Sequence, residues 1–118
     1  MMVIENELII MFDVDDTLVM HGFPDSLDGA MDIVHPGTNN PHKVHPHKAN
    51  IELLKQQRSR GYHVTVWSAG GWAWAKAVAL GIESYVNEVR SKPIKYCDDL
   101  TDPKDILGTR VYLPYKES

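Results

Sequence analysis

A cluster of acidic residues follows an apolar run near the start of the chain. Residues 8–12 (Leu-Ile-Ile-Met-Phe) lead directly into Asp13-Val14-Asp15-Asp16-Thr17. Such a run predicts a buried strand, and open α/β folds bind their ligands at the carboxyl ends of strands. Asp13 and Asp15 leave the strand on the same side because they are two residues apart. Since like charges this close repel each other, we expect a bound cation beside them. A plain acidic turn capped by Thr17 is the alternative.

Two later runs with strand character also end in residues that suit phosphate or metal binding. They are residues 62–67 (Tyr-His-Val-Thr-Val-Trp) and the short run 94–97 (Ile-Lys-Tyr-Cys). The residues that follow are Ser68, Ala69, Gly70 and Gly71 in the first case, and Asp98 and Asp99 in the second. A hydroxyl followed by small residues before a helix favours anion binding. A glycine-rich turn and a solvated acidic turn are the respective alternatives.

Taken in chain order, these residues resemble a known enzyme family. The set consists of Asp-x-Asp-x-Thr, a strand-ending serine, a lysine (Lys92) and a strand-ending Asp-Asp pair. It is similar to the haloacid dehalogenase superfamily of phosphatases, and most similar to its small, capless members of bacteriophage type. The similarity extends from about residue 8 to residue 99. It implies a Mg²⁺-dependent phosphomonoester hydrolase that acts through an aspartyl-phosphate. A non-catalytic module that binds Mg²⁺ and phosphate to recognise a partner is the alternative.

The resemblance also implies a role for each residue of the set. Asp13 is the expected nucleophile, and Asp15 is the expected general acid and base. Asp15 needs a proton at the first step, and we expect the neighbouring Asp13 to raise its pKa. Thr17 is expected to bond the loop backbone and fix its turn. Asp16 occupies the free position of the motif and is interpreted as a loop carboxylate.

Ligands for metal and phosphate follow from the same resemblance. The implied ligands of Mg²⁺ are the Asp13 carboxylate, the Asp15 backbone carbonyl and one of Asp98 and Asp99. The implied phosphate ligands are Ser68, Ala69, Gly70 and Lys92. A solvated surface lysine is the alternative for Lys92, because residues 89 and 96 are too close in sequence for the crossover of about a dozen residues that joins parallel strands.

Length and composition bound the remaining possibilities. The chain of 118 residues is enough for one domain, which we expect to span residues 1–118. Its net charge of −4 argues against tight binding along a nucleic-acid backbone, although a nucleic-acid 3′-phosphate or a nucleotide stays open as substrate. Cys97 is the single cysteine, and we interpret it as a core thiol. No apolar stretch suggests a membrane span or signal core, so we expect a cytoplasmic protein, in the host if phage-encoded.

Strand and helix patterns alternate along the chain, which indicates an α/β fold. Helices are predicted over residues 49–60 and 72–80, and strands over 8–12, 62–67, 96–97 and 110–113. Residues 84–89 are ambiguous between a helical turn and a strand. The resemblance implies a three-layer Rossmann-like sandwich with a mostly parallel sheet of four to five strands.

An irregular insertion at about residues 18–47 replaces a cap domain. Residues 32–35 are predicted as one arm of a flap hairpin, with residues 36–41 as its turn. We therefore expect an open site that is closed by a large substrate or by a second subunit acting as the lid. Four histidines lie in or near the insertion (His35, His42, His45 and His47), and their spacing does not match a usual zinc pattern. Trp72 follows the small-residue loop, where it packs in the core or stacks on a substrate base.

Overall fold

The computed structural model describes residues 3, 5, 8–22, 29–102 and 107–108. Their strands are β1 (Ile9–Asp13), β2 (Val19–Met20), β3 (Met31–Val34), β4 (Pro41–Pro46), β5 (His63–Ser68) and β6 (Glu88–Ser91). Their α-helices are α1 (Lys48–Ser59) and α2 (Ala73–Ala79), and a single 3₁₀ turn spans Glu83–Tyr85. The described part of the chain is thus a small α/β protein.

Three strands form a parallel sheet in the order β1-β5-β6. The central strand β5 has neighbours on both sides, and its residues Val64, Thr65 and Val66 are fully buried. A strand covered on both faces needs a continuous run of β-branched residues, and residues 64–66 (Val-Thr-Val) supply one. In the register, Asp13 lies opposite Trp67, and Ser68 lies opposite Ser91. The last residues of all three strands therefore meet at one edge of the sheet.

The insertion after β1 folds into a second, antiparallel sheet in the order β2-β4-β3. Strands β3 and β4 form the predicted flap hairpin, with Met31 opposite Val44 and Val34 opposite Pro41. The turn between them contains Asn39 in a left-handed conformation, with φ of 59°. Asparagine tolerates this conformation better than most residues, which explains the turn at this point.

Both predicted helices are present, each within one or two residues of the expected bounds. Helix α1 begins where the His47 ring nitrogen Nδ1 accepts a hydrogen bond from the Asn50 amide at 3.1 Å. Its Leu54 is fully buried in the core, and Gly61 follows its end with φ of 93°. Helix α2 packs Ala73 and Ala77 into the same core. Small side chains on this face let the helix approach the sheet closely.

The segment after β6 differs from the prediction. Residues 96–97 do not form a strand, and Cys97 is exposed rather than a core thiol. Residues 84–89, which were ambiguous, divide between the 3₁₀ turn and the start of β6. The Lys92 amide still donates to the Ser68 carbonyl at 3.1 Å, so pairing beside β5 continues to Lys92. Too few residues lie between Lys92 and residues 96–97 for a crossover to a parallel strand at that point.

The described residues thus contain three parallel strands instead of four or five. The remaining predicted strand, over residues 110–113, lies outside the described residues. Within the described part of the chain, neither helix has the length and apolar character that a membrane crossing requires.

Candidate active site

The carboxyl edge of the parallel sheet gathers most of the predicted site residues. Asp13 ends β1, Ser68 ends β5, and Lys92 directly follows β6. The loop after β1 adds Asp15, and helix α2 adds Lys76, which the sequence analysis did not single out. Two aspartates and two lysines therefore meet at this edge in two separate ion pairs.

The first pair joins Asp13 and Lys92. The Lys92 Nζ atom lies 3.2 Å from Asp13 Oδ1, and the two side chains are 37% and 35% exposed. The same ammonium lies 5.5 Å from the centre of the Trp67 ring. Lys92 is therefore at the expected place, although the strand that was predicted to follow it is not formed. A carboxylate with this exposure is accessible to a substrate from solution.

The second pair joins Asp15, whose side chain is 32% exposed, to a lysine that is much less exposed than Lys92. The Lys76 Nζ atom lies 2.6 Å from Asp15 Oδ1, and the Lys76 side chain is only 2% exposed. His21 Nε2 contacts the same carboxylate oxygen at 3.0 Å. The Ser68 hydroxyl donates to the other oxygen, Oδ2, at 2.8 Å. Three side chains from three parts of the chain thus hold a single carboxylate.

These contacts reverse the expected change in the pKa of Asp15. Burial raises the pKa of this carboxyl group, but hydrogen bonds with Lys76, His21 and Ser68 and the Lys76 charge lower it by more. The net result is a pKa below the ordinary value of 3.8. The expectation that Asp13 would raise the pKa of Asp15 was wrong, because Lys76 and His21 were not foreseen at the site and Ser68 was expected to bind phosphate instead of Asp15. Asp15 is held as a carboxylate, which is the form that accepts a proton.

Ser68 and the small residues after it form a tight turn around Asp15. Ser68 is fully buried, and its Oγ accepts a hydrogen bond from the Gly70 amide at 3.2 Å. A Cβ atom at Gly70 would lie 3.8 Å from both Asp15 Oδ2 and Ser68 Oγ, so this loop faces the carboxylate. Ala69 is exposed at the top of the turn. The hydroxyl of Ser68 is engaged with Asp15, and phosphate binding by Ser68, Ala69 and Gly70 stays a prediction.

The loop after β1 is fixed mainly through its backbone. Asp16 has φ of 60°, and its carboxylate accepts a hydrogen bond from the His21 amide at 3.1 Å. The Thr17 amide donates to the Val14 carbonyl at 3.3 Å, and the Thr17 carbonyl accepts from the Asn50 side chain at 2.9 Å. Thr17 therefore fixes the turn through its backbone rather than through its hydroxyl. Asp16 serves as a loop carboxylate, as predicted.

Contrary to the prediction, Asp98 and Asp99 do not lie at the end of a strand. Both are exposed, and Asp98 Oδ1 accepts a hydrogen bond from the Leu100 amide at 2.8 Å in a local turn. Among the described residues, no three His, Cys, Asp or Glu side chains are grouped to hold a metal ion. The physical reason is the missing strand at 96–97, which was expected to deliver this pair.

The oxygens left at the edge still suit a magnesium ion in part. The accessible one is the Asp13 carboxylate, and coordination by the Asp15 backbone carbonyl stays a prediction. Mg²⁺ is commonly bound through one or two carboxylates, with waters and substrate phosphate completing its octahedron. Asp13 therefore offers a carboxylate of the kind that Mg²⁺ prefers, and Mg²⁺ binding stays a prediction. Coordination by Asp98 or Asp99 stays a prediction.

Three aromatic rings connect the flap hairpin to the loop after β5. The ring centres of His35 and His42 lie 5.1 and 5.2 Å from that of Trp72. The Lys76 Nζ atom lies 4.1 Å from the centre of the same Trp72 ring. Trp72 therefore packs between the hairpin and the buried lysine, which favours the packing interpretation over base stacking. The contacts of His35 and His42 also give these flap residues a packing role.

Sequence reasoning missed two contributors to this site, Lys76 and His21. Lys76 lies in an alanine-rich stretch with the pattern of a short surface helix, where a lysine is ordinarily solvated. Two signals were available in the sequence: Lys76 lies about one helical turn after Trp72, and alanines stand on both sides of it.

Comparisons with protein-family models, curated proteins and solved structures give no significant match to this chain. The interpretation of the site therefore rests on its own geometry.

Proposed function

We propose that the protein is a Mg²⁺-dependent phosphomonoester hydrolase of the haloacid dehalogenase type, with Asp13 as its nucleophile. The observation that carries this proposal is the pairing of an accessible carboxylate, Asp13, with the Lys92 ammonium at 3.2 Å. The second carboxylate, Asp15, is fixed two residues further along. A nucleophile that attacks an anionic phosphoryl group needs nearby positive charge, and Lys92 supplies it.

Hydrolysis would proceed in two steps at Asp13. In the first, an Asp13 oxygen attacks phosphorus, the bond from phosphorus to the leaving oxygen breaks, and that oxygen takes up a proton from solvent water. In the second, water attacks the aspartyl-phosphate while Asp15 accepts its proton, which releases phosphate and restores Asp13. Lys92 balances the phosphoryl charge in both steps. A bound Mg²⁺ would add further charge neutralisation and orient one phosphate oxygen.

For the substrate we propose nucleotide-type phosphates, including nucleic-acid 3′-phosphates. The support is the resemblance to small phage members of the family, together with the exposure of Asp13 and Lys92 at an open edge. Among the described residues, the insertion after β1 forms only the small sheet β2-β4-β3, whose hairpin packs on Trp72. A large substrate or a second subunit of a homodimer would then exclude water from the site.

The test is hydrolysis of p-nitrophenyl phosphate with Mg²⁺ by the wild-type protein and by Asp13→Asn. We expect the substitution to lower kcat by at least about 10³-fold, because it removes the nucleophile. Asp16→Asn is a matched control, since Asp16 is an exposed carboxylate three residues away that contacts a backbone amide. It should retain most of the activity. Beryllofluoride should form an adduct at Asp13 in the wild type and in Asp16→Asn only.

Other outcomes separate this proposal from its alternative. Equal activity in wild type and Asp13→Asn would exclude Asp13 as the nucleophile. Binding of inorganic phosphate without turnover, and without a beryllofluoride adduct, would identify a recognition module instead. Dependence on the metal is checked by removing divalent ions with a chelator and restoring Mg²⁺.

A further inference from the structure

Lys76 is an unusual residue for a short helix at a protein surface. Its side chain is 2% exposed, and it lies on α2 between Ala73 and Ala77, both of which are buried. Moving an ammonium group out of water costs several kcal/mol, which an ion pair recovers only when its geometry is good. The contact with Asp15 at 2.6 Å supplies that geometry. An apolar side chain of similar volume would fill the same space without this cost.

The backbone at Trp72 shows a second sign of constraint next to the pair. Trp72 has φ of 44°, a left-handed conformation that is uncommon for a bulky residue. In this conformation its ring lies over Lys76, with 4.1 Å between the ring centre and Nζ. Strained residues of this kind concentrate at functional sites. The ring, itself packed against His35 and His42, covers the Lys76 ammonium.

The contacts on Asp15 are distributed unequally between its two oxygens. Oδ1 takes both Lys76 and His21, whereas Oδ2 takes the Ser68 hydroxyl and faces the loop at Gly70. Lys76 therefore holds Oδ1 of Asp15 in place. Oδ2 is left facing the loop at Gly70, where phosphate is expected to bind. If the Asp15 carboxylate could rotate, Oδ1 and Oδ2 would exchange places and neither oxygen would keep a fixed direction.

We propose that Lys76 is a positioning residue that fixes the Asp15 carboxylate for breakdown of the aspartyl-phosphate. The inference rests on the proposed phosphatase function and goes beyond it by assigning Lys76 to one of its two steps. In that step, the oxygen of a water molecule bonds to phosphorus and Asp15 takes one of its protons. The bond between phosphorus and the Asp13 oxygen breaks, and its electron pair returns to Asp13. Lys76 touches neither the water nor the phosphoryl group.

The experiment compares Lys76→Met with wild type on p-nitrophenyl phosphate, whose leaving group departs without a proton. We expect kcat to fall about 10- to 100-fold through misplacement of Asp15. We expect kcat/KM to change little, because formation of the aspartyl-phosphate does not need Lys76. Rapid mixing should show a burst of p-nitrophenol followed by slow turnover, and phosphorylated Asp13 should accumulate. Lys55→Met is the matched control, since Lys55 also lies over an aromatic ring, that of Tyr85, away from the site.

Several results would overturn the inference while the proposed function stands. One is an unchanged kcat in Lys76→Met, and another is an equal fall in kcat and kcat/KM without a burst. Lys76→Gln provides a second variant that keeps a hydrogen-bond donor, and it should recover part of the lost kcat. Failure of both variants to fold would make Lys76 a structural residue and would also overturn the inference. If the wild type forms neither product nor an adduct at Asp13, the proposed function fails, and this inference fails with it.

Discussion

The two aspartate–lysine pairs at the carboxyl edge use the same residue types, but their lysines lie in opposite environments. Asp13 and Lys92 are both more than a third exposed, with 3.2 Å between their charged atoms. Asp15 and Lys76 are 2.6 Å apart, and Lys76 is almost fully buried. An exposed pair gains little free energy and opens readily, whereas a buried pair is costly to separate. The first pair can therefore exchange its partner for a substrate, and the second cannot.

In the proposed function, this contrast separates the residues that react, Asp13 and Lys92, from the residues that hold Asp15 in place. Asp13 and Lys92 would open to admit a phosphoryl group between them. Asp15 stays in place because Lys76, His21 and Ser68 hold it from three directions. Substitutions in the Asp13–Lys92 pair should therefore mainly lower activity. Substitutions in the Asp15–Lys76 pair should mainly lower stability.

The strongest test of the difference between the two pairs is to remove each aspartate and compare the losses of stability. Asp15→Ala leaves the Lys76 ammonium buried without its partner, so we expect the free energy of unfolding to fall by roughly 3 kcal/mol. Asp13→Ala removes an exposed partner of Lys92 and should cost less than about 1 kcal/mol. Urea unfolding at neutral pH measures both changes. Equal losses in the two variants would show that the pairs do not differ in the way described.

A second test uses acid. Because the pKa of Asp15 is lowered on folding, its contribution to stability is fully present above the ordinary value of 3.8 and is lost as pH falls through the lower folded value. The wild type should therefore lose more stability than Asp15→Asn when the pH falls from neutral to below 4. The measurement is the free energy of unfolding across that range. Parallel pH profiles for the two proteins would contradict the assignment.

The smallest expected effect concerns salt. Lys92→Met should change the free energy of unfolding by less than about 1 kcal/mol, since both side chains of the pair are exposed. That difference should shrink further at about 1 M salt, where the screening length is only about 3 Å. The corresponding difference for Lys76→Met should stay nearly constant, because the buried pair is screened much less. A salt-sensitive Lys76 variant would indicate that solvent reaches the second pair.

Local patterns in the sequence predict the elements that carry Asp13 and Ser68. The apolar run before Asp13 and the β-branched run before Ser68 form adjacent parallel strands, as their composition indicates. The flap hairpin was predictable from its turn residues, and helix α1 from its apolar face. In each case the signal lies within a window of about a dozen residues. Position along the chain was enough to place Asp13 and Ser68 at one edge.

Features that depend on distant partners were not predictable in this way. The burial of Lys76 depends on Asp15, which is 61 residues away in the sequence. The strand predicted at 96–97 is absent although Tyr96 and Cys97 have strand propensity. Pairing beside β5 continues to Lys92, so too few residues lie between Lys92 and residue 96 for a crossover to a parallel strand. The change in the pKa of Asp15 was predicted in the wrong direction for a similar reason. It depends on Lys76, His21 and Ser68, which come close to Asp15 only in the folded chain.

The turn that carries the carboxylates is tied to the far end of the flap. The His47 amide donates to the Leu18 carbonyl at 2.8 Å, and the Asn50 side chain donates to the Thr17 carbonyl at 2.9 Å. Both anchors lie beyond the hairpin, at the start of α1. The tip at residues 36–40 should therefore tolerate a change in length without moving the turn that carries Asp13 and Asp15. The anchors at the start of α1 thus separate the position of the two carboxylates from the design of the hairpin tip.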